Sequence, residues 1–167
     1  RAMIEDPART ETYFVRDTAP DIFLAANIGA AQLAEYSASQ IQKAVDDIKA
    51  DALAIHLNAA QEAVQKEGDT NFSNVLKQIR QTVSKIRQPV YVKEVGNGIT
   101  FEAAKLLAKT RVKAIDVQGA GGTTWVGVES YRGNRELGET FWDIGIPPTL
   151  SVMETRKAFS GTIIASG

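Results

Sequence analysis

Five short apolar runs punctuate this chain, and stretches with the 3.6-residue rhythm of a helix separate most of them. That alternation constrains the fold more than any other feature. The runs are Ile22 to Ala26, Ala52 to Leu57, Val90 to Lys93, Val112 to Val117 and Thr162 to Ala165. Between them, Gln40 to Lys49 places Ile41, Ala44, Val45 and Ile48 on one helical face, with Ser39 as its N-cap. A second helix is predicted over Ser73 to Ile86, and Thr100 caps a third over Phe101 to Lys109. Pro147-Pro148 opens a fourth through Phe159. Tyr131 to Asp143 is polar and aperiodic, a long loop with room for a short helix.

Strand, loop and helix in repetition mean parallel βα units. The strands read as near-continuous apolar runs, as expected where helices cover a parallel sheet. An open doubly wound sheet gathers ligand groups mostly at one switch point, whereas a (β/α)8 barrel draws them from many strand ends around one mouth. Here polar or glycine residues follow almost every strand: Asn27, His56 to Asn58, Lys93-Glu94, Asp116 with Gly119, and Ser166-Gly167. The distribution favours the TIM-barrel family. A whole barrel takes ~250 residues, so the expected fold is α/β, an incomplete barrel of about five parallel strands. Residues 1–167 would form a single partial-barrel domain truncated at both ends. The chain starts at Arg1 without a methionine and stops just after a strand, which reads as an excerpt of a longer polypeptide.

The composition removes several classes of chemistry. There is no cysteine, which excludes disulfides, thiolate metal sites and cysteine nucleophiles. A single histidine, His56, excludes any site needing two imidazole ligands. The net charge of −1 gives no broad basic field for nucleic acid. No apolar run approaches a membrane span, and no secretory signal is visible, so no membrane partner and a cytoplasmic location are expected.

Four segments carry candidate chemistry. In His56-Leu57-Asn58-Ala59-Ala60-Gln61-Glu62, a histidine, two amides and a carboxylate gather at a strand end. Glu62 suits a Mg²⁺ ion completed by phosphate oxygens and water; the alternative is a polar helix start. In Val92 to Gly98, Lys93 ends a buried strand, where a cation can face a ligand anion such as a reduced flavin ring. The competing Lys93–Glu94 pair is weakened because adjacent strand residues point to opposite faces. Asp116 to Thr123 carries Gly119, Gly121 and Gly122, which let backbone N–H groups approach a phosphate or merely turn the chain. In Ala25 to Ala30, small residues and Asn27 suit a flat ring, although a turn with a left-handed asparagine explains them as well. Trp125 and Trp142 read as packing residues.

Taken in order, AANIGA at 25–30, HLNAAQE at 56–62, GD and NF at 68–72, VKEVGNG at 92–98, DVQGAGGTTW at 116–125, VE at 128–129 and GIP at 145–147 give a chain that resembles the type 2 isopentenyl diphosphate isomerases. Members of that family are flavin-dependent barrel enzymes that interconvert isopentenyl and dimethylallyl diphosphate. They use reduced FMN and Mg²⁺, with NADPH as reductant. The resemblance implies that Asn27, Lys93 and Thr123 contact FMN and that His56, Asn58 and Gln61 line the substrate site. It places Gln61 near the reacting carbons, with His56 as the second catalytic candidate. It makes Glu62 the Mg²⁺ ligand and Arg1 a diphosphate-binding residue. It further implies a small-molecule diphosphate substrate and a homo-oligomeric full-length protein.

The chain departs from the family at Ile144, where a tryptophan is usual; the change concerns packing more than chemistry. By alignment of motifs the chain holds barrel strands three to seven. The loops expected to bind the FMN phosphate lie past Gly167, so weak FMN binding and little activity are expected of the chain alone. Two other readings compete: an FMN-dependent barrel oxidoreductase of the hydroxy-acid oxidase type, and a non-catalytic barrel remnant serving as an interaction module.

Overall fold

The computed structural model describes residues 1–167. Five strands form one sheet, all parallel and in chain order: β1 (Ala25–Gly29), β2 (Ala52–His56), β3 (Val90–Lys93), β4 (Ala114–Asp116) and β5 (Thr162–Ile164). The order never reverses. A doubly wound sheet requires a reversal at its switch point, whereas the wall of a (β/α)8 barrel has none. The sheet stays open, with β1 and β5 at its edges. The α/β fold with about five parallel strands is as expected, and it is consistent with part of a barrel.

Two short helices, α1 (Ala2–Glu5) and α2 (Thr10–Tyr13), precede the sheet. Between the strands run α3 (Ala38–Asp47), α4 (Ala59–Val64), α5 (Val75–Lys85) and α6 (Phe101–Ala108). Three more, α7 (Trp125–Ser130), α8 (Arg135–Thr140) and α9 (Pro148–Ala158), separate β4 from β5. The aperiodic stretch 131–143 therefore holds a short helix, started by Asn134, whose side chain accepts from Leu137 N–H. The cap of α3 is Ser37 rather than Ser39: Ser37 and Gln40 form a reciprocal capping box. Thr100 caps α6 as expected.

The first strand is shifted. Ile22 and Phe23 are exposed, and Asn27-Ile28-Gly29 lie inside β1 rather than in a turn. Arg16 explains the shift. Its guanidinium donates to the carbonyls of Pro20, Ile22 and Lys49 and to Asp51, which holds residues 16–22 as a loop. Leu24 N–H then donates to Asp51 at 2.8 Å, so pairing with β2 begins at Ala25.

The strands are also less uniform than apolar runs suggest. Leu53, Ile55, Val90, Val92 and Ile115 pack against helix residues such as Ile41, Val45, Ile79, Ala104 and Leu107 in one core. The alternate positions face the other side, where Asn27, His56, Tyr91, Lys93, Thr162 and Ile164 keep some exposure while the small Ala52 and Ala54 and the Asp116 carboxylate are buried. Helices cover one face of the sheet, and the other is open. No helix is long and apolar enough to cross a membrane.

Candidate functional site

The ladder pairing lines up Gly29, His56, Lys93, Asp116 and Ile164 in one row across the C-terminal ends of the strands. In-register residues of a parallel sheet point the same way, so the polar members of this row share the open face. Asn27 lies two residues before Gly29 and faces the same side. Its Oδ1 is 3.2 Å from His56 Nδ1. An amide oxygen only accepts, so Nδ1 carries the proton and Nε2 keeps its lone pair. Gly29 leaves room for these groups, since a Cβ would lie 1.8 Å from Gln32 Oε1 and 3.0 Å from His56 Nε2 and the Gln32 side chain would have to move. Burial, and then the nearby Lys93 ammonium, push the His56 imidazole down to about 4. His56 is therefore neutral at pH 7 and does not act as a standing cation for an anionic ligand.

After β2 the chain turns into α4, which puts Asn58, Gln61 and Glu62 on one helical face at i, i+3 and i+4. Asn58 and Glu62 are both buried. Asn58 Nδ2 donates to Glu62 Oε1 at 2.7 Å, and Asp69 N–H donates to Glu62 Oε2 at 2.7 Å. Asn58 Oδ1 has no partner. A carboxylate with a spare lone pair on each oxygen and an orphaned amide oxygen beside it make a hard, oxygen-only donor set. No group of three or more His, Cys, Asp or Glu residues surrounds it. A divalent ion there must take most of its ligands from a bound substrate and water, as Mg²⁺ commonly does. A cavity of about 840 Å³ opens beside these groups, bordered by Arg1, Asn27, Gln32, His56, Glu62 and Asp69. Arg1 itself is exposed and pairs with Glu5 at 3.0 Å, whose carboxylate also accepts from Tyr36 Oη.

At the end of β3 the two charged neighbours part company. Lys93 Nζ makes only long contacts to neutral acceptors, 3.4 Å to the Glu94 carbonyl and 3.5 Å to Gln118 Oε1. Burial lowers its pKa, with Asp116 and Glu94 opposing. Glu94 turns the other way: its Oε2 accepts from the N–H groups of Val95, Gly96 and Asn97 at 2.7–3.1 Å. Burial raises the Glu94 pKa against those three donors. The backbone nest of the Val95 to Gly98 loop is thus filled by the protein's own carboxylate and is closed to a phosphate.

A second cavity, about 330 Å³, lies between this loop and the glycine turn, bordered by Gly96, Gln118, Gly122, Thr123, Trp125 and Ser166. At Gly122 a Cβ would meet nothing within 4 Å, while Gly119 and Gly121 press on Pro148 and Gly167. Thr124 caps α7, its hydroxyl accepting from Gly127 N–H. Residues 144–146 tie the two loops together: Asn97 Nδ2 donates to the Ile144 carbonyl and Ala120 N–H to the Ile146 carbonyl. Ile144 contributes its backbone while its side chain stays exposed. Lys93 fits the edge of an anionic ring, having half-buried donors without a carboxylate partner, and the space at Gly122 fits close approach of a ligand. Trp125 and Trp142 are both exposed, and Trp142 packs edge-on against Tyr131, with ring centroids 6.2 Å apart, and against Gly127.

The structure thus gathers Asn27, His56 and Lys93 on one face of the sheet, with Thr123 at the second cavity. Asn58 and Glu62 stand beside the first, with Gln61 on the same helix. Two polar residues escaped the sequence reading of roles. Gln118 has φ +34° and reaches Lys93. Glu129 is buried on α7 and accepts from Gln61 Nε2 at 3.1 Å. The signal for Glu129 is a lone acid in the otherwise apolar run from Trp125 to Val128.

No protein-family model matches the chain. Over its whole length it is 48% identical to an isopentenyl-diphosphate delta-isomerase of Thermococcus onnurineus, of which the alignment covers 47%. It is likewise 48% identical to the enzyme of that description from Methanosarcina mazei, with 47% covered. For the one from Pyrococcus furiosus the values are 47% and 45%. The chain spans about half the length of the curated relatives it matches.

Proposed function

We propose, from the premise that this chain belongs to the isopentenyl-diphosphate delta-isomerase family, that its protein interconverts isopentenyl and dimethylallyl diphosphate with Mg²⁺ and with FMN that NADPH reduces. The observation that carries the reading is the row of His56, Lys93 and Asp116 at the strand ends, flanked by Asn58 and Glu62. Lys93, Asn27 and Thr123 would hold the flavin, whose reduced ring supplies the mobile proton when bound. Glu62, with Asn58 Oδ1, would hold Mg²⁺ against the substrate diphosphate. His56 enters neutral, with Nδ1–H committed to Asn27. To donate to a diphosphate oxygen, Nε2 must carry a proton, gained from solvent or by a tautomer shift in which the Asn27 amide turns to donate to Nδ1. Gln61 would stand by the reacting carbons and Arg1 by the diphosphate. The residues therefore orient the substrate and stabilise charge. We place the protein in the cytoplasm as a homo-oligomer.

The test is incubation with dithionite-reduced FMN, Mg²⁺ and isopentenyl diphosphate, with dimethylallyl diphosphate measured by chromatography. Conversion that is lost in Gln61→Asn and Glu62→Gln supports the reading. No conversion by the protein, or conversion indifferent to both substitutions, overturns it.

A further inference from the structure

We propose that Arg132 is a positioning residue: through the Glu129 carboxylate it fixes the Gln61 side chain with its amide nitrogen committed and its carbonyl oxygen presented. The contact is independent of the enzymatic reading; its consequence for turnover rests on that reading.

Glu129 is 3% exposed, and its two oxygens accept from Arg132 Nη1 at 3.2 and 3.0 Å. Oε1 also accepts from Gln61 Nε2, across 68 residues of sequence. A carboxylate only accepts, so the end of the Gln61 amide facing it is the NH2 group. Gln61 Oε1 is then the end left for a ligand. Arg132 Nη2 donates at 3.0 Å to Glu67, in the segment just after α4. One guanidinium therefore joins the end of α7 to the helix that carries Gln61 and Glu62.

The backbone around this contact has no slack. A Cβ at Gly133 would lie 2.7 Å from the Val64 carbonyl oxygen, and one at Gly68 would lie 1.9 Å from that of Glu62. These two glycines bring α4, the 65–69 segment and the end of α7 into close backbone contact without the help of any side chain. The guanidinium is thus not needed to hold the segments together. What it adds is a charge partner for a buried acid. Without it, Glu129 keeps one neutral donor, too little to hold a buried carboxylate in place. Movement of the carboxylate releases the Gln61 amide from its present orientation.

The test has two arms. In ¹H–¹⁵N NMR of the chain, the Gln61 side-chain NH2 pair is assigned by its loss in Gln61→Glu. The wild-type pair should show one proton shifted by its bond to Glu129. Arg132→Gln should move the pair toward the position of free glutamine, and Arg132→Lys, which keeps the charge, should restore most of the shift. Glu67→Ala, which removes only the outer ion pair, should leave it in place. In the isomerase assay Arg132→Gln should lower kcat about tenfold, with KM changed less than about twofold, and Arg132→Lys should recover most of the loss. If the Gln61 signals of Arg132→Gln coincide with the wild type, the positioning role is wrong. If they move as described while the wild-type protein does not isomerise its substrate, the role stands and the enzymatic reading fails.

Discussion

The two faces of this sheet are made from the same five strands, one residue apart, and they obey different rules. On the helix side, Leu53, Ile55, Val92 and Ile115 are buried with large branched side chains. On the open side their neighbours are Asn27, His56, Tyr91, Lys93 and Asp116, which carry the hydrogen-bonding groups, and burial lowers the pKa of His56 and Lys93 and raises that of Tyr91. Stability is concentrated on the first face and chemistry on the second. Residues on the open face can therefore hold costly states, a neutral histidine or a half-buried lysine, because the core behind them does not depend on them.

The largest contrast should appear on truncation. Ile55→Ala is expected to lose about 2–5 kcal/mol to the lost transfer energy and the cavity left behind. Tyr91→Ala, on the neighbouring strand but the other face, should lose only about 1 kcal/mol. Urea unfolding of both variants measures the difference, and equal losses would remove the distinction between the faces.

Acidity gives the next effect. The His56 pKa is lowered from 6.5 to about 4 on folding, so the unfolded chain binds the proton first as pH falls. The contribution is fully present above pH 6.5 and is lost as pH drops toward 4, by about 3 kcal/mol at most. Asp46 and Asp51, whose pKa values are lowered in the fold, add losses of their own at lower pH still. His56→Asn should abolish the slope between pH 6.5 and 4 and leave the lower one. A parallel loss in both proteins over that window would mean that His56 is not held neutral.

The smallest stability effect is expected at Lys93. Lys93→Met removes a half-buried ammonium that has only long contacts to neutral acceptors, so the melting transition should change by less than about 1 kcal/mol. FMN affinity, read by quenching of flavin fluorescence, should nevertheless fall at least tenfold, since a charge-assisted contact is worth about 1.5–3 kcal/mol. A large loss of stability with flavin binding retained would make Lys93 a core residue and blur the division between the faces.

Much of this arrangement is legible locally. Alternating βα units are written in short-range periodicity, and the ends of strands are marked by polar and glycine residues, so strand order, the parallel sheet and the positions of His56, Lys93 and Asp116 follow from neighbours in the chain. Even the two-faced character is present in the letters, since Ala-Leu-Ala-Ile-His and Val-Tyr-Val-Lys alternate between larger branched side chains and other types. It is masked because alanine and tyrosine count as apolar in a run.

The start of β1 at Ala25 was decided by Arg16 and Asp51, which meet across 35 residues. The same holds for the His56 tautomer set by Asn27, and for the orientation of Gln61 set by Glu129 and Arg132. The Glu94 carboxylate is a local contact, yet it folds back on its own loop only because burial denies it water and three N–H groups converge on it. The sequence by itself determined which residues stand at the ends of the strands, because backbone periodicity and turn chemistry act over a few residues. Only the tertiary structure decided how those residues are charged, paired and aimed, because desolvation and hydrogen bonding depend on what distant segments bring into contact.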